Sequence, residues 1–547
     1  MGVRLRTFIA GAAGVVLAFG IAELVHGLYS LVPSVFVAVS QLVIKLTPGG
    51  FATQAIENLG GADVPLLIAT MVVSALVIGG FLASLSLRSP VSALAGVGVL
   101  TAIALIATFA QPFVAPVATV LTIVGALGAS TAVTWFLLGV SGLRTLGPAA
   151  SSTKPRVPGS EPQLQSVRAR EAHSAGGVAF SRRNFLIFSG GTAVAGLAAA
   201  GTGRLLAGDS AQKTSAPAPV KLTELTSGQD ATLHKTLPPP PATASIEAPG
   251  MVPLITPATD FYLIDTALVS PRIDVDSWTV KVKGALDNPI ELTYKDLLSM
   301  PTREADITLS CVSNEVGGGL VSNGRWTGVL LSDVLAEAGV GLDKISSASE
   351  QLVGRSIDGW TAGFKTKTAL DGREALVAFG LNGDDLPVKH GYPVRLVVPG
   401  LYGYVSATKW LTEIELTDWD FDAYWIQRTW SKEGPIKTQS RIDTIKDGER
   451  LSAGTIQVGG IAWAPHRGIE GVEISTDGGD TWNNARLADQ LDIDTWRQWI
   501  YDWEAKPGNH TLKVRATDGE GETQTDKETP PHPSGATGYH TIEVNVA

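Results

Sequence analysis

Over the first 206 positions, apolar residues come in long unbroken runs; beyond about residue 250 they come in short alternating ones. Runs at about 7–28, 65–88, 91–110, 113–141 and 186–206 each approach the roughly 20 residues that a bilayer core requires. They predict an N-terminal α-helical transmembrane bundle. The run from Tyr29 to Leu46 carries Pro33, Gln41 and Lys45, and reads either as a sixth span or as an interfacial or re-entrant segment. Arg4 and Arg6 precede the first span and Arg88 ends the next clear one. Arg144, Lys154, Arg156, Arg168, Arg170, Arg182 and Arg183 lie in or at the end of a long polar loop. If 29–46 does not cross, all of these share the cytoplasmic side and Lys45 sits outside, as the positive-inside rule prefers. Five spans plus one partial segment are therefore expected, with everything after about residue 206 on the outer face.

The later half has a different rhythm. "SWTVKVKGAL" alternates like a half-buried strand, and "TYKDLLSMP" reads as a short capped helix ended by Pro301. "TGVLLSDVLAEAGV" predicts a second helix stopping at Gly339, and "YPVRLVVPG" a β-branched run. Helices and strands mix without regular βαβ spacing, which favours an α+β domain. From about 435, "GTIQVGGIAW", "GVEISTDGGDTWNNARL", "RQWIYDWEA", "HTLKVRATD" and "YHTIEVNV" are short strands between turns, with "TDGGDTW" a hairpin signal. In "TLKVRAT", Leu512, Val514 and Ala516 share one face. This region predicts an all-β immunoglobulin-like sandwich.

The chain thus divides into transmembrane helices (1–145), a cytoplasmic polar loop (146–182), a last transmembrane helix (183–206) and a Pro/Ala-rich linker (207–250). Two soluble domains follow, at 251–430 and 431–547. The linker holds "LPPPPATA" and reads as a semi-rigid spacer. "SRRNFLIFSGG" resembles a twin-arginine export signal, used for domains that cross the membrane already folded; the simpler reading is a basic pair flanking a helix.

Composition narrows the chemistry. Of 547 residues only 17% are charged, and the formal charge of −10 offers no basic footprint for nucleic acid. One cysteine, Cys311, excludes an internal disulfide and any site built from four protein thiolates. With His26 alone in or near a span, and no CxxCH motif, paired haem ligands are missing from the helices. Transport fits poorly, since the spans contain almost no polar or ionisable residues for a pathway. A lone cysteine is most often a small buried hydrophobe. Cys311, however, stands between a β-prone run and a glycine-rich turn, in "ITLSCVSNEVGGG", where backbone can wrap closely around a ligand. A metal-bound thiolate would be protected in an oxidising compartment.

These motifs carry a resemblance. "ITLSCVSNEVGG", "RWTGVLLSDVLAEAG", "LNGDDLPVKHGYPVRLVVPGLYG", "KWLTEIEL" and "GIAW…GVEISTDGGDTW" occur in an order similar to that of the sulfite oxidase family of molybdenum cofactor enzymes. The resemblance covers roughly residues 251–547. It implies a sulfite-oxidase-like molybdopterin domain followed by a domain that forms homodimers in the family. It implies Cys311 as the protein ligand to molybdenum and Tyr262 as a second catalytic residue. Phe261, Asn314, His390, Arg395, Ser406 and Lys409 are the implied cofactor-binding residues. One extra residue lies between "YG" and "KW", which makes Ser406 a looser match than Lys409. Tyr262, Tyr402, Tyr404, Tyr424 and Trp425 are pocket candidates, or else core or interface aromatics.

The chain departs from the family where substrate charge is decided. Ile264, Asp265 and Thr266 occupy the positions of an Arg-Asn-His run, and Glu315 and Val316 stand where a basic pair follows the cysteine. Anion sites normally use arginine forks, so the substrate is expected to be neutral or less charged than sulfite. The expected protein is a multi-pass plasma-membrane oxidoreductase with an extracytoplasmic catalytic domain. It would perform two-electron oxygen-atom transfer on a small molecule, with a separate electron-transfer partner or quinone. The alternative is a cofactor-free binding or envelope-assembly module that keeps the fold.

Overall fold

The computed structural model describes residues 2–29, 31–47, 63–111, 114–140, 182–213, 234–271 and 273–547. It forms two compact units, one ending near Thr214 and one running from Ser215 to Ala547. The polar loop up to Ser181, with Arg144, Lys154, Arg156, Arg168 and Arg170, lies outside the described residues, as does the linker from 214 to 233.

The first unit contains α1 (Val3–Leu28), α2 (Val35–Leu46), α3 (Asp63–Ser86), α4 (Pro90–Phe109), α5 (Pro116–Val140) and α6 (Arg182–Lys213). Five of these helices are long and apolar enough to cross a membrane. The ambiguous run becomes α2, whose 12 residues span only about 18 Å, short of a hydrocarbon core of about 30 Å. Helix α6 overruns its expected end and continues to Lys213. Paired glycines let α1 and α6 approach at backbone distance. A Cβ on Gly20 or Gly27 would overlap the carbonyl oxygen of Gly196 or Gly203. Small residues at such crossings are how helices associate where apolar burial gives no drive. Near the end of α1, the Ser34 hydroxyl donates to Glu23 at 2.5 Å, and His26 Nδ1 donates to the Val32 carbonyl at 2.8 Å.

The second unit is mainly β. Its first sheet runs β1 (His234–Lys235), β4 (Thr302–Ser310), β5 (Val321–Leu330), β8 (Leu376–Leu381), β10 (Arg395–Val397), with β9 (Asp384–Asp385) on β8. The second runs β3 (Ile290–Thr293), β2 (Thr279–Gly284), β11 (Leu411–Thr417), β6 (Gln351–Ser356), β7 (Thr361–Lys365). β11 lies parallel to β2, and the other pairs in that sheet are antiparallel. Helix α7 (Tyr294–Ser299) starts with a capping box between Thr293 and Asp296. Helix α8 (Leu331–Glu337) is shorter than its apolar pattern suggests, because "TGVL" finishes β5 before the helix begins. One apolar core, with Trp278, Trp326, Leu376, Leu396 and Ile414, lies among these elements.

The C-terminal region has two further sheets. One runs β12 (Gln439–Ile442), β14 (Gly454–Trp463), β18 (Arg497–Ala505), β17 (Arg486–Leu487). The other runs β13 (Arg450–Leu451), β20 (His540–Val546), β19 (Gly508–Asp518), β15 (Ile469–Ser475), β16 (Asn483–Asn484). Both contribute to one core, including Trp499 and Trp503 from β18 and Leu512, Val514 and Ala516 from β19. The "TDGGDTW" turn reverses the chain between β15 and β16, with Gly478 and Gly479 at positive φ.

Residues 234–250, expected as spacer, are laid onto this unit. β1 pairs with β4, the Leu237 N–H donates to Glu304 at 2.7 Å, and the Ile246 N–H donates to Gln498 at 2.6 Å. Prolines deny this stretch a core of its own, but its remaining backbone groups can still pair with a neighbour.

Candidate active site

Cys311 is the first residue after β4, and only 8% of its surface is exposed. The strand beneath it is braced by a satisfied polar network. The Thr308 hydroxyl donates to Asn323 Oδ1 at 3.0 Å and accepts the Trp496 N–H at 2.7 Å. Asn323 Nδ2 in turn donates to the Leu254 carbonyl at 2.9 Å. Such networks hold a strand in one register because each member would be costly to leave unpaired. After the cysteine the chain closes a loop: the Cys311 N–H donates to the Leu320 carbonyl, and Asn314 Oδ1 accepts the Leu320 N–H at 2.7 Å. Asn314 therefore shapes the loop that carries the thiol.

The C-terminal region grips the same loop. Arg441 Nη1 donates to the Gly318 carbonyl at 2.7 Å, while Arg441 Nε donates to Asp443 at 2.6 Å. Gly317, at φ +76°, lies so close to the His540 ring that a Cβ there would overlap it. Gly317→Ala meets both this overlap and the left-handed backbone. It should cost about 1–3 kcal/mol of stability and loosen the Cys311 loop, measurable as a lower denaturation midpoint. Nothing in the sequence marked Arg441 or His540, which lie more than 100 positions from the cysteine.

Tyr262, His390 and Arg395 form the neighbouring group: the charges of Cys311 and Arg395 both reach the Tyr262 phenol, and Arg395 donates to the His390 carbonyl. Tyr262 follows Phe261, whose ring packs edge-to-face on Trp326 (5.4 Å) and on His390 (5.7 Å). Phe261 is thus a core aromatic that supports the site from below. The Tyr262 N–H donates to the Ser322 hydroxyl at 3.0 Å. Its own phenol is held well above the usual range, first by burial and then by the charge of Cys311, with Arg395 opposing. Burial likewise pushes the Cys311 thiol up, while hydrogen bonds from Ser313 pull it down.

His390 Nε2 donates to the Ala258 carbonyl at 3.2 Å. Burial, followed by the charges of Arg395, Lys389 and Lys409, lowers its pKa to about 4. His540 is also lowered to about 4, by burial and then Arg441, and its Nδ1 accepts the Ile442 N–H at 3.0 Å. Both imidazoles are neutral in the folded chain. Between their folded values and the unfolded value near 6.5, the unfolded chain binds the extra protons. Stability should therefore fall as pH drops from about 6.5 toward 4, by on the order of 2 kcal/mol per histidine, and be flat above about 7. Denaturant midpoints at pH 7 and pH 4.5 check this, and His540→Gln should remove part of the slope.

Arg395, the first residue of β10, is the most informative group. The residue is 6% exposed, and its guanidinium carbon lies 5.1 Å from the Trp326 ring centroid. It donates to the carbonyls of His390 (3.0 Å), Leu396 (3.3 Å) and Ala407 (3.4 Å). No carboxylate pairs with it among the described residues. Burial lowers its pKa to about 10, with the charges of Tyr262 and Asp265 opposing without forming an ion pair. A guanidinium has five donors, so it keeps some to spend. A buried cation without a counter-anion is costly, and an anionic ligand removes that cost.

The other expected contacts are placed differently. The Ser406 hydroxyl, in α9 (Gly403–Ser406), donates to the carbonyls of Tyr402 and Leu401. Lys409 forms an ion pair with Asp265 at 2.6 Å. Tyr402 and Tyr404 are core aromatics packed with Trp430, and the Tyr404 hydroxyl donates to the Ser431 carbonyl. Tyr424 lies under Arg428, whose guanidinium carbon is 3.7 Å from its ring centroid, and packs on Trp425.

Residues 267–425 match the family model described as oxidoreductase molybdopterin binding domain. These residues therefore form a molybdopterin-binding oxidoreductase domain of the sulfite oxidase and nitrate reductase type. Human mitochondrial sulfite oxidase is 30% identical over 304 residues, covering 48% of this chain and 55% of that protein. An NADH nitrate reductase of Brassica napus is 28% identical over 332 residues, covering 50% of this chain and 36% of its own. Among solved structures, the sulfane dehydrogenase SoxCD from Paracoccus pantotrophus aligns with TM-score 0.48 and 23% identity, over 55% of this chain and 83% of that one. The chain spans about half the length of the mammalian sulfite oxidases it matches. Cys311, Asn314, His390, Arg395, Ser406 and Lys409 fall inside the family match; Phe261, Tyr262 and Asp265 precede it. The family's molybdenum cofactor carries a phosphate, and the spare donors of Arg395 fit that charge, whereas Ser406 and Lys409 are spent within the protein.

Proposed function

We propose that this protein is a membrane-anchored molybdenum cofactor-dependent oxidoreductase that performs two-electron oxygen-atom transfer on a small molecule other than sulfite. The buried cation of Arg395, without an ion pair among the described residues and acting with the solitary thiol of Cys311 on the same Tyr262 phenol, carries the reading. Cys311 would ligate the metal, Arg395 would hold the cofactor's anionic group, and Asn314 would fix the ligand loop. Molybdenum, when bound, supplies the redox chemistry. Tyr262, held as a neutral phenol, is suited to donate a hydrogen bond to a substrate oxygen rather than to act as a base. Ile264, Asp265 and Thr266, with Glu315 and Val316, supply none of the arginine forks an oxyanion needs, which supports a neutral oxygen-bearing substrate.

The charges flanking the apolar helices support a plasma membrane location with residues after 206 outside, exported with the help of the Arg182–Arg183 pair. Residues 251–430 would form the cofactor domain, and 431–547 an immunoglobulin-like sandwich suited to homodimer formation. A quinone or a separate redox protein would exchange electrons with the site. Elemental analysis of the matured chain should find about one molybdenum per chain. Viologen-coupled assays against sulfoxides, N-oxides and sulfite should then show turnover with the first two classes. The inward-turned Ser406 and Lys409 favour a second reading, a cofactor-free binding module; a chain without molybdenum after maturation would establish it.

A further inference from the structure

We propose that Asp265 is a built-in counter-anion for Lys409, closing that lysine to oxyanions and leaving Arg395 to carry the cofactor's anionic group. This rests on the cofactor reading above. The family resemblance assigns Lys409 to the cofactor, and here the structure disagrees. An ammonium group has three donors. Those of Lys409 go to Asp265 Oδ2 at 2.6 Å, the Ile264 carbonyl at 3.2 Å and the Lys389 carbonyl at 3.3 Å. None is left for a phosphate or a sulfo group. The pair is well shielded, with side-chain exposures of 13% for Lys409 and 18% for Asp265, so salt screens it little.

Asp265 also stands in the three-residue run where the family places an arginine and a histidine. The departure therefore acts twice: it removes positive charge, and it neutralises the lysine that remains. The negative charge of Asp358 bears on both partners as well. An oxyanion reaching this side of the pocket meets carboxylates and finds no free ammonium donor. A neutral oxygen-bearing molecule meets no such repulsion. The Asp265–Lys409 pair thus selects substrates by charge.

The test uses the full chain, wild type and variants, after cofactor maturation. Sulfate binding by calorimetry probes free oxyanions, and molybdenum per chain probes the cofactor's own phosphate. Asp265→Asn should bind sulfate at least tenfold more tightly than wild type, and the double variant Asp265→Asn/Lys409→Met should lose that gain. Lys409→Met alone should keep wild-type molybdenum content. The proposal is overturned if Asp265→Asn gains no sulfate affinity. It is equally overturned if Lys409→Met loses molybdenum severalfold, since the ammonium must then leave Asp265 for the cofactor. If Asp265→Asn does not fold, Asp265→Ser serves with the same readouts. Absence of molybdenum from every version would sink the cofactor reading alone, because the sulfate titration needs no metal and still decides the ion pair.

Discussion

Cys311→Ser should abolish turnover, by about 1,000-fold or more, while leaving the fold in place. Serine matches cysteine in size, and the site is a turn rather than the centre of an apolar cluster, so the stability cost should be about 1 kcal/mol. The chemical cost is much larger. A hydroxyl is a harder and far less acidic ligand than a thiol, and soft thiolate donation cannot be replaced by oxygen without changing the metal's electronics. Molybdenum content should fall less than activity, because Arg395 still meets the cofactor's negative charge. Parallel measurement of turnover, metal content and melting temperature checks this. Substantial turnover in the serine variant would remove Cys311 from its proposed role.

The second large effect belongs to Arg395, and its two readouts should move in opposite directions. In the cofactor-free chain, Arg395→Met removes a nearly buried cation whose hydrogen bonds go to three carbonyl groups. Removing a buried charge that has no ion pair ends its desolvation cost, which offsets the loss of those three hydrogen bonds. The melting temperature of the empty protein should therefore hold or rise. Cofactor retention should fall by about 100- to 1,000-fold, since losing one partner of a buried charge pair costs roughly 3–4 kcal/mol. Arg395→Lys should recover part of this loss, keeping the charge without the planar fork. A large drop in the empty protein's stability with unchanged cofactor retention would make Arg395 a structural residue instead.

Asp265 shows how the two predictions relate to specificity. Arg395 and Lys409 both lie against Gly391, yet among the described residues only Lys409 forms an ion pair with a carboxylate. Charge in this site is therefore set pair by pair, and substituting a single acid redistributes it.

Much of this was legible in the chain itself. Long apolar runs fix helices because no water satisfies an exposed backbone in lipid, and strict alternation fixes strands by placing every second side chain inward. Leu512, Val514 and Ala516 could be assigned to one buried face, and "TYKDLLSMP" to a short capped helix, from local pattern. Cys311, His390 and Arg395 were site candidates through the resemblance of their ordered motifs to the sulfite oxidase family; taken singly, each would have been read as structural. What spacing could not supply was the identity of distant partners. Only the folded chain brings Arg441 and His540 onto the loop of Cys311, turns the Ser406 hydroxyl back into its own helix, and lays residues 234–250 against the sheets. Only it joins Asp265 to Lys409 across 144 positions. Local periodicity acts over a few residues and is written in the sequence. Ion pairs and hydrogen bonds act over about 3 Å in space, so the three-dimensional path of the backbone decides which of them form.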